Sequence, residues 1–212
     1  MSASLTPAVF LDKDGTLLEN VPYNADPLLM RWTPGASAAL RLLAAKSWPL
    51  VVVTNQPGIA LGYFTESQFD SVKIQLGQMF HACGAVLAGV YYCPHHPRAA
   101  HPCACRKPQP GLLLQAAARL NIDLARSWMV GDILDDIEAG RRAGCRSILV
   151  DNGNESEWRQ GAWRIPHHIV PGLEQAARLI AGQPGTAFPD ASVPPANPSD
   201  VAPRSLRAGI WR

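Results

Sequence analysis

Short apolar runs alternate along the chain with longer stretches in which apolar residues recur every three or four positions. The short runs, rich in valine, leucine and isoleucine, predict buried β-strands, and the longer stretches predict amphipathic helices. Five strands are predicted, over residues 8–11, 50–54, 86–92, 128–130 and 147–150. Because strands that alternate with helices build βαβ units, the pattern predicts an α/β fold with a doubly wound parallel sheet.

Three of the predicted helices have recognisable start signals. Thr33 precedes Pro34, and a threonine N-cap followed by a proline in the first turn is a common helix start. Thr65 stands three residues before Gln68, which is the spacing of a capping box, and Pro110 opens a third helix. The helix after Thr65 is predicted to bury Phe69, Val72, Ile74, Leu76 and Met79. Two further helices are predicted near 135–143 and 173–180.

The composition limits the function classes. With 212 residues, of which 47% are hydrophobic, the chain has enough apolar material for one buried core. Its 19 basic and 17 acidic residues leave a formal net charge of +2 without a basic run, which weighs against nucleic-acid binding. No apolar run approaches the roughly 20 residues of a membrane span, and residues 1–11 lack the pattern of a secretory signal. We therefore expect no membrane or nucleic-acid partner.

The composition changes near Gly182. Six prolines interrupt residues 182–212, and this segment contains few large apolar side chains. Such a segment cannot bury enough apolar surface to offset the entropy cost of ordering its backbone. We expect a folded domain over residues 1–181 and a disordered tail over residues 182–212.

Polar residues follow four of the predicted strands, where a doubly wound sheet binds its ligands. They are Asp12 and Asp14 after the first strand, Thr54 and Asn55 after the second, Lys107 after the third, and Asp132 and Asp136 after the fourth. Asp12 and Asp14 are two residues apart, so in an extended segment one can act as nucleophile while the other transfers a proton. A third acid at Asp132 favours a bound Mg²⁺ ion. Thr54 and Lys107 supply a hydroxyl and an ammonium for phosphate oxygens.

Three of the five cysteines lie within residues 93–105, a distribution that suits a metal site better than a disulfide framework. The candidate ligands form two short pairs, Cys93 with His95 and Cys103 with Cys105. Four such ligands are typical of a closed tetrahedral Zn²⁺ site with a structural role. His96 and His101 are alternatives to His95. Because reduced cysteines are typical of the cytoplasm, we expect the protein there.

These residues together resemble the four ordered motifs of the haloacid-dehalogenase-like phosphatases. The matching segments are residues 9–16, 54–56, 106–111 and 130–132 followed by Asp136. The resemblance covers about residues 8–151, and the loop at 93–105 is similar to that of a capless subgroup containing heptose-bisphosphate and histidinol-phosphate phosphatases. It implies a zinc-binding loop, no large cap domain, and a monomer that acts on a small phosphorylated metabolite.

The resemblance also implies the chemistry of the acidic residues. Asp12 would attack phosphorus and form an aspartyl-phosphate, and Asp14 would protonate the leaving oxygen and then activate water. Mg²⁺ would be held by the Asp12 carboxylate, the Asp14 backbone carbonyl and Asp132, with Asp136 close by. The implied zinc ligands are Cys93, His95, Cys103 and Cys105.

Implied substrate contacts are Thr54 and Lys107 for the phosphoryl group, and Asn55, Arg106 and Tyr23 for the rest of the substrate. The chain departs from the heptose-bisphosphate pattern at two places. Ile133 stands where many members carry a basic residue, and residues 20–22 lack the acidic-His-Gly sequence that often precedes the tyrosine. The expected substrate is D-glycero-D-manno-heptose 1,7-bisphosphate, with release of the 7-phosphate. The alternative is histidinol phosphate or another small phosphorylated metabolite.

Two other classes of protein share part of this pattern. A phospho-accepting signalling domain also combines aspartates, a threonine and a lysine on a doubly wound sheet, although its acceptor follows a central strand and the second strand here ends in Thr54 and Asn55. A zinc-stabilised interaction domain would need the Cys/His loop but none of the acidic residues. It predicts that Asp12→Asn changes nothing measurable.

Overall fold

The computed structural model describes residues 5–182, which form one six-stranded sheet with helices on both faces. The strands are β1 (Val9–Leu11), β2 (Leu50–Asn55), β3 (Leu87–Cys93), β4 (Trp128–Gly131), β5 (Arg146–Val150) and β6 (His168–Val170). All neighbouring strands pair in parallel, in the order β3-β2-β1-β4-β5-β6. The doubly wound parallel sheet is therefore confirmed. The strand order reverses at β1, where a crevice opens at the carboxyl ends of the strands.

Within the described part of the chain, five α-helices cover the sheet. They are α1 (Ala36–Ala44), α2 (Glu66–Ala82), α3 (Gly111–Leu120), α4 (Leu134–Arg142) and α5 (Leu173–Gly182), and 3-10 turns occupy Pro27–Leu29 and Leu124–Arg126. Within residues 5–182, the connections between strands contain these elements and loops, and none forms a separate cap domain. No helix in this range combines the length and the apolar character that crossing a bilayer requires.

The helix starts agree with the sequence at α2 and differ at α1. The Thr65 hydroxyl accepts from the Gln68 backbone N–H at 3.2 Å, and the Gln68 side-chain oxygen accepts from the Thr65 N–H at 2.8 Å, so the capping box is confirmed. The predicted N-cap at Thr33 is wrong. Its hydroxyl instead donates to the Thr16 carbonyl at 2.7 Å, and α1 begins after Gly35.

The alternation of side chains along β1 builds two core layers. Val9 and Leu11 pack with the apolar faces of α1, α2 and α5, whereas Phe10 packs with α3 and part of α4 on the opposite face. Burying a side chain of this size stabilises the fold by about 1.5–3 kcal/mol. The predicted burial of Ile74 is wrong, because the buried stripe of α2 consists of Phe69, Val72, Leu76 and Phe80 and leaves Ile74 64% exposed.

The sequence pattern missed the sixth strand. β6 contains three residues, and its first two, His168 and Ile169, are only half-buried at the edge of the sheet. The predicted tail over 182–212 lies outside the described residues, apart from Gly182, which ends α5.

Candidate active site

The loop after β1 carries Asp12 and Asp14 to the centre of the crevice. The Asp12 backbone N–H donates to the Val130 carbonyl at 3.0 Å, so the chain enters the loop still bonded to β4. Gly15 has φ +93°, and a Cβ atom there would lie 2.2 Å from Oδ2 of Asp132. Only glycine tolerates both conditions, and this brings the loop against the carboxylate that follows β4.

Lys107 is a buried cation at the centre of the site. Its ammonium donates to Oδ1 of Asp12 and to the Val53 carbonyl, and it forms an ion pair with Asp136. The Lys107 backbone is held by Asn55, whose Oδ1 accepts from the Lys107 N–H at 3.0 Å and whose Nδ2 donates to the Lys107 carbonyl at 3.1 Å. Residues that follow β1, β2, β3 and β4 therefore meet at one point.

The carboxylates of the site are forced close together in a region shielded from water. Burial raises the pKa of Asp12 to about 7, against the opposing effect of Lys107, and the charges of Asp136 and Asp14 raise it further. Burial likewise raises the pKa of Asp132 and that of Asp136 to about 6 each. Burial alone would lower the pKa of Lys107, but the nearby Asp12 and Asp136 charges outweigh it and the net shift is upward.

Four polar side chains orient Asp132 and Asp14. The Thr16 hydroxyl donates to Oδ1 of Asp132 at 2.6 Å, and the Asn154 side-chain amide donates to Oδ2 of the same carboxylate at 2.8 Å. Gln56 Nε2 donates to Oδ2 of Asp14 at 2.9 Å, and the Lys13 ammonium binds the other oxygen of Asp14. Both carboxylate oxygens of Asp132 and both of Asp14 are therefore held by a donor.

A second cluster lies in the loop between β3 and α3. The Cys93 Sγ lies 3.4 Å from Nδ1 of His95 and 3.5 Å from Sγ of Cys103. The Cys105 Sγ lies 3.2 Å from the same nitrogen and 3.4 Å from the Cys103 Sγ. The Gly111 N–H at the start of α3 donates to the Ala104 carbonyl, so the cluster is tied to the segment that carries Lys107.

Comparison with known proteins places this arrangement in a family. The chain is 43% identical over 180 residues to the D-glycero-beta-D-manno-heptose-1,7-bisphosphate 7-phosphatase of Pasteurella multocida, and the match covers 82% of this chain and 97% of that protein. It is 41% identical over 157 residues to the protein of the same name from Escherichia coli K12, covering 71% and 82%. A HAD-hydrolase-like family model matches residues 104–176. The chain belongs to the haloacid-dehalogenase-like phosphatases.

A solved structure supports the same assignment. The D,D-heptose 1,7-bisphosphate phosphatase from B. bronchiseptica, complexed with magnesium and phosphate, superimposes on this phosphatase with a TM-score of 0.73 at 30% identity. The match covers 82% of this chain and 98% of that one. The shared fold extends over nearly all of the neighbour's length.

The acidic cluster of this phosphatase fits a magnesium ion. Asp12, Asp132 and Asp136 each offer a carboxylate oxygen, and these atoms lie within 4.8 Å of one another. One ammonium faces three buried carboxylates, so the site has an excess of negative charge and a set of hard oxygen donors. Both features favour Mg²⁺, and the raised pKa values of the three acids reflect the repulsion and desolvation that a cation relieves.

The Cys/His cluster of the phosphatase fits a zinc ion. The three sulfur atoms and one nitrogen atom lie within 4.8 Å of one another, and such a set of four donors is typical of a structural tetrahedral Zn²⁺ site. Of the three histidines in the loop, the structure places His95 with the thiols. The exposed His96 accepts from the Arg98 backbone N–H at 3.0 Å instead. A bound cation would stabilise the thiolate forms of the three cysteines, which otherwise repel one another.

Two predicted substrate contacts, Tyr23 and Arg106, do not line the cleft. The cleft of the phosphatase has a volume of about 170 Å³ and is lined by Asp12, Asp14, Asn20, Thr54, Asn55, Lys107, Asp132, Ile133 and Asn154. Tyr23 and Arg106 are not among these residues. Tyr23 packs on Tyr63 with ring centroids 4.5 Å apart, and the Arg106 Nη1 is buried without a hydrogen-bond partner among the described residues. Their contact with substrate stays a prediction.

The loop after β5 also contributes to the site, although the sequence analysis did not predict it. The Asn152 side chain donates to the Gly15 carbonyl at 2.8 Å, and Asn154 binds Asp132 as described above. Glu155 accepts from the Leu134 N–H at the start of α4. The position of residues 151–155 could have indicated this role, because they follow a predicted strand at the same edge of the sheet as the other motifs.

Proposed function

We propose that this protein is a Mg²⁺-dependent phosphatase that removes the 7-phosphate of D-glycero-D-manno-heptose 1,7-bisphosphate through an aspartyl-phosphate intermediate. One observation carries the proposal. Asp12 lies in the floor of the cleft with its carboxylate bound by Lys107, and Asp14 lies two residues away. The names of relatives at 41–43% identity, together with the fold of the magnesium-bound neighbour, support the substrate.

The first half of the reaction forms the intermediate. An oxygen of Asp12 attacks phosphorus, and the bond between phosphorus and the sugar oxygen breaks. Asp14, as the acid, gives its proton to the departing sugar oxygen. Lys107 and the Thr54 hydroxyl stabilise the negative charge on the phosphoryl oxygens, and their fixed positions lower the cost of reorganisation.

The second half of the reaction releases phosphate. Asp14, now ionised, takes a proton from water while the water oxygen attacks phosphorus. The bond between phosphorus and Asp12 breaks, and the Asp12 carboxylate returns to its starting state. Asp14 therefore serves as acid and then as base, which its position in the cleft beside Asp12 allows.

The magnesium ion would be held by Asp12, by the Asp14 backbone carbonyl and by Asp132, with Asp136 beside them. When bound, it neutralises charge on the phosphoryl group and on the carboxylates. Thr16 and Asn154 keep Asp132 oriented towards the site. Asp136 pairs with the same Lys107 ammonium that binds Asp12.

The zinc loop would position the substrate-binding cations. Cys93, His95, Cys103 and Cys105 are the proposed ligands, and Arg106 and Lys107 follow the last of them directly. The loop contains three prolines between 94 and 102 and little apolar surface, so the metal supplies the energy that fixes its shape. We propose that Asn55, Arg106 and Tyr23 contact the sugar or its second phosphate.

A single-phosphate substrate, such as histidinol phosphate, is the second candidate. The observation that favours it is Ile133, which lines the cleft without a charge. Among the cleft-lining residues described above, Lys107 is the one cation, and the transferring phosphoryl group uses it. Ile133→Lys would then improve kcat/KM for a bisphosphate about tenfold and leave a monophosphate unchanged, because it adds one charge at the rim.

The experiment is phosphate release with Mg²⁺ from heptose 1,7-bisphosphate, heptose 1-phosphate and histidinol phosphate, with Asp12→Asn as control. Phosphorus NMR of the products reports which phosphate leaves. Loss of the 7-phosphate, with no release by the control, supports the proposal. Preference for histidinol phosphate selects the second candidate. Stable phosphorylation of Asp12 without release would indicate a signalling domain instead.

Three further expectations remain part of the proposal. The catalytic domain comprises residues 1–181, and the protein acts as a monomer on a small metabolite. We expect it to work in the cytoplasm, and the five cysteines agree with this because none of them forms a disulfide bond. Gel filtration of the full chain and of a chain ending at residue 182 tests the first two.

A further inference from the structure

Gln56 is a buried polar residue beside the site for which the proposed reaction gives no role. It follows β2 and is 4% exposed. Its backbone N–H donates to the Cys93 carbonyl at 2.8 Å, so the end of β3 fixes the point from which the side chain extends. Buried side-chain amides are normally hydrogen-bonded, so the partners of the Gln56 amide indicate its role.

The side-chain nitrogen of Gln56 joins two groups of the site. Nε2 donates to Oδ2 of Asp14 at 2.9 Å and to Oγ1 of Thr54 at 2.9 Å. An amide nitrogen carries two hydrogens, and this geometry uses both. The group that transfers the proton and the group that binds the phosphoryl oxygen are therefore linked through one atom.

We propose that Gln56 is a positioning residue that holds the Asp14 carboxyl for proton transfer and directs the Thr54 hydroxyl hydrogen towards the phosphoryl group. The inference rests on the function proposed above. With Lys13 at one oxygen of Asp14 and Gln56 at the other, rotation of the carboxyl is blocked, while each oxygen keeps a second lone pair. Because Thr54 accepts from Gln56, its own hydrogen is free to be donated to substrate.

The two proposed roles of Gln56, at Asp14 and at Thr54, change different kinetic quantities. Proton transfer from Asp14 matters most when the departing oxygen is a sugar alkoxide, which is a poor leaving group, and least for p-nitrophenolate, which leaves as a stable anion. The orientation of Thr54 affects the binding of phosphate with any leaving group. A role limited to folding would alter all substrates by the same factor.

The test compares Gln56→Met with the wild type in single-turnover formation of the phosphoenzyme. Methionine has a similar volume and removes both hydrogen bonds. We expect the first-order rate with the sugar phosphate to fall about 10- to 100-fold and the rate with p-nitrophenyl phosphate to fall by no more than about threefold. At saturating enzyme these rate constants do not depend on the fraction of enzyme that is folded.

A double-mutant cycle shows whether Gln56 acts through Asp14. In an Asp14→Asn background, Gln56→Met should lower the sugar-phosphate rate by no more than about threefold, since the proton transfer is already lost. Inorganic phosphate should inhibit Gln56→Met about 3- to 10-fold more weakly, because the Thr54 hydroxyl is no longer oriented. Gln115→Met, on the exposed face of α3, is the matched control and should change none of these values.

Equal loss with both leaving groups, or the same loss in both Asp14 backgrounds, would overturn the inference while leaving the proposed function intact. A wild-type enzyme that forms no phosphoenzyme would overturn both. The inference is supported when the loss depends on the leaving group and on the presence of Asp14.

Discussion

Lys107 donates a hydrogen bond to Asp12, although the two residues are 95 positions apart in the chain. The contact brings the segment after the zinc loop to the loop after β1, and Asp136 binds the same ammonium from α4. Lys107 is 3% exposed, so water contributes little to its solvation. Lys107 therefore compensates the charge of two buried carboxylates, Asp12 and Asp136, while Lys13 pairs with Asp14.

Replacing Lys107 should destabilise the protein in a pH-dependent way. Removing one partner of a buried ion pair costs about 3–5 kcal/mol, since the remaining charges are left uncompensated. We expect Lys107→Met to lower the free energy of unfolding by this amount at pH 8 without metal. The loss should be smaller at pH 5, where the carboxylates whose pKa values are raised take up protons.

Urea unfolding at both pH values measures the effect. Lys73→Met, which removes the partly exposed pair with Asp70 on α2, is the control and should cost about 0–1 kcal/mol. A loss for Lys107→Met that is the same at pH 5 and pH 8 would show that its charge is not what stabilises the site.

Asp132→Asn should stabilise the metal-free protein and abolish its response to Mg²⁺. The pKa of Asp132 is raised to about 6 by burial, so its ionised form is unfavourable in the folded state. The folded protein binds this proton more tightly than the unfolded chain, and the cost appears as pH rises through about 4 to 6. The variant removes that cost, which we expect to be about 1–2 kcal/mol at pH 8.

Thermal unfolding with and without Mg²⁺ tests this prediction. The wild type should gain several degrees from the metal at pH 8, and Asp132→Asn should gain none and release no phosphate. Asp26→Asn keeps an acceptor for the Leu28 N–H on an exposed turn, and its response to Mg²⁺ should match that of the wild type. An undiminished response in Asp132→Asn would exclude this residue as a ligand.

His167 should destabilise the protein in mild acid. Burial, with the charges of Arg141, Arg146 and His168, lowers the pKa of His167 to about 3. Its Nδ1 accepts from the Ser147 N–H at 3.0 Å, which requires the unprotonated nitrogen. The unfolded chain binds this proton more readily, so stability is full above about pH 6.5 and is lost as pH falls towards 3.

His167→Asn keeps an acceptor near Ser147 and cannot titrate. Between pH 7 and pH 4 its free energy of unfolding should fall by about 1–2 kcal/mol less than that of the wild type, a value reduced for the partial exposure of the ring. His81→Asn, on the exposed end of α2, serves as control and should follow the wild type. If the free energy of unfolding falls equally with pH in the wild type and in both variants, His167 is not the group that destabilises the protein in acid.

Loss of zinc should lower activity by loosening the segment that carries Lys107. We expect Cys103→Ser to bind less than one zinc per chain and to show reduced kcat, because the loop contains few other contacts that fix its shape. Metal analysis and phosphate release at saturating Mg²⁺ measure both values. Cys83→Ser, at the end of α2 and outside the cluster, should keep its zinc. Full activity in a zinc-free enzyme would contradict this role.

The sequence predicted the convergence of Asp12, Thr54, Lys107 and Asp132 because each lies at or beyond the carboxyl end of a strand of one parallel sheet. Strand ends are fixed by topology, so alternation of apolar runs is sufficient to place them. The capping box at Thr65 was equally readable, since its hydrogen bonds are local. In the same way, the cysteine spacing predicted the Cys/His cluster with His95 as its histidine, and it kept His96 and His101 as alternatives.

Features that depend on tertiary contacts could not be predicted in this way. Thr33 failed as a cap because its hydroxyl binds the Thr16 carbonyl, a partner 17 residues away. The two donations of Gln56 depend on how β2 and the Asp14 loop approach each other. Asn55 was expected to face the substrate, but its amide also holds the Lys107 backbone, a contact that no local pattern indicates.

The most direct test of the account is a rapid acid quench of the enzyme during turnover of a phosphate ester labelled in the transferring group. We predict that the label appears on a peptide containing Asp12 in the wild type. In Asp14→Asn the labelled protein should accumulate, because hydrolysis of the intermediate is slowed. In Asp12→Asn the protein should carry no label. Turnover at an undiminished rate by Asp12→Asn, with no labelled protein at any time, would contradict it.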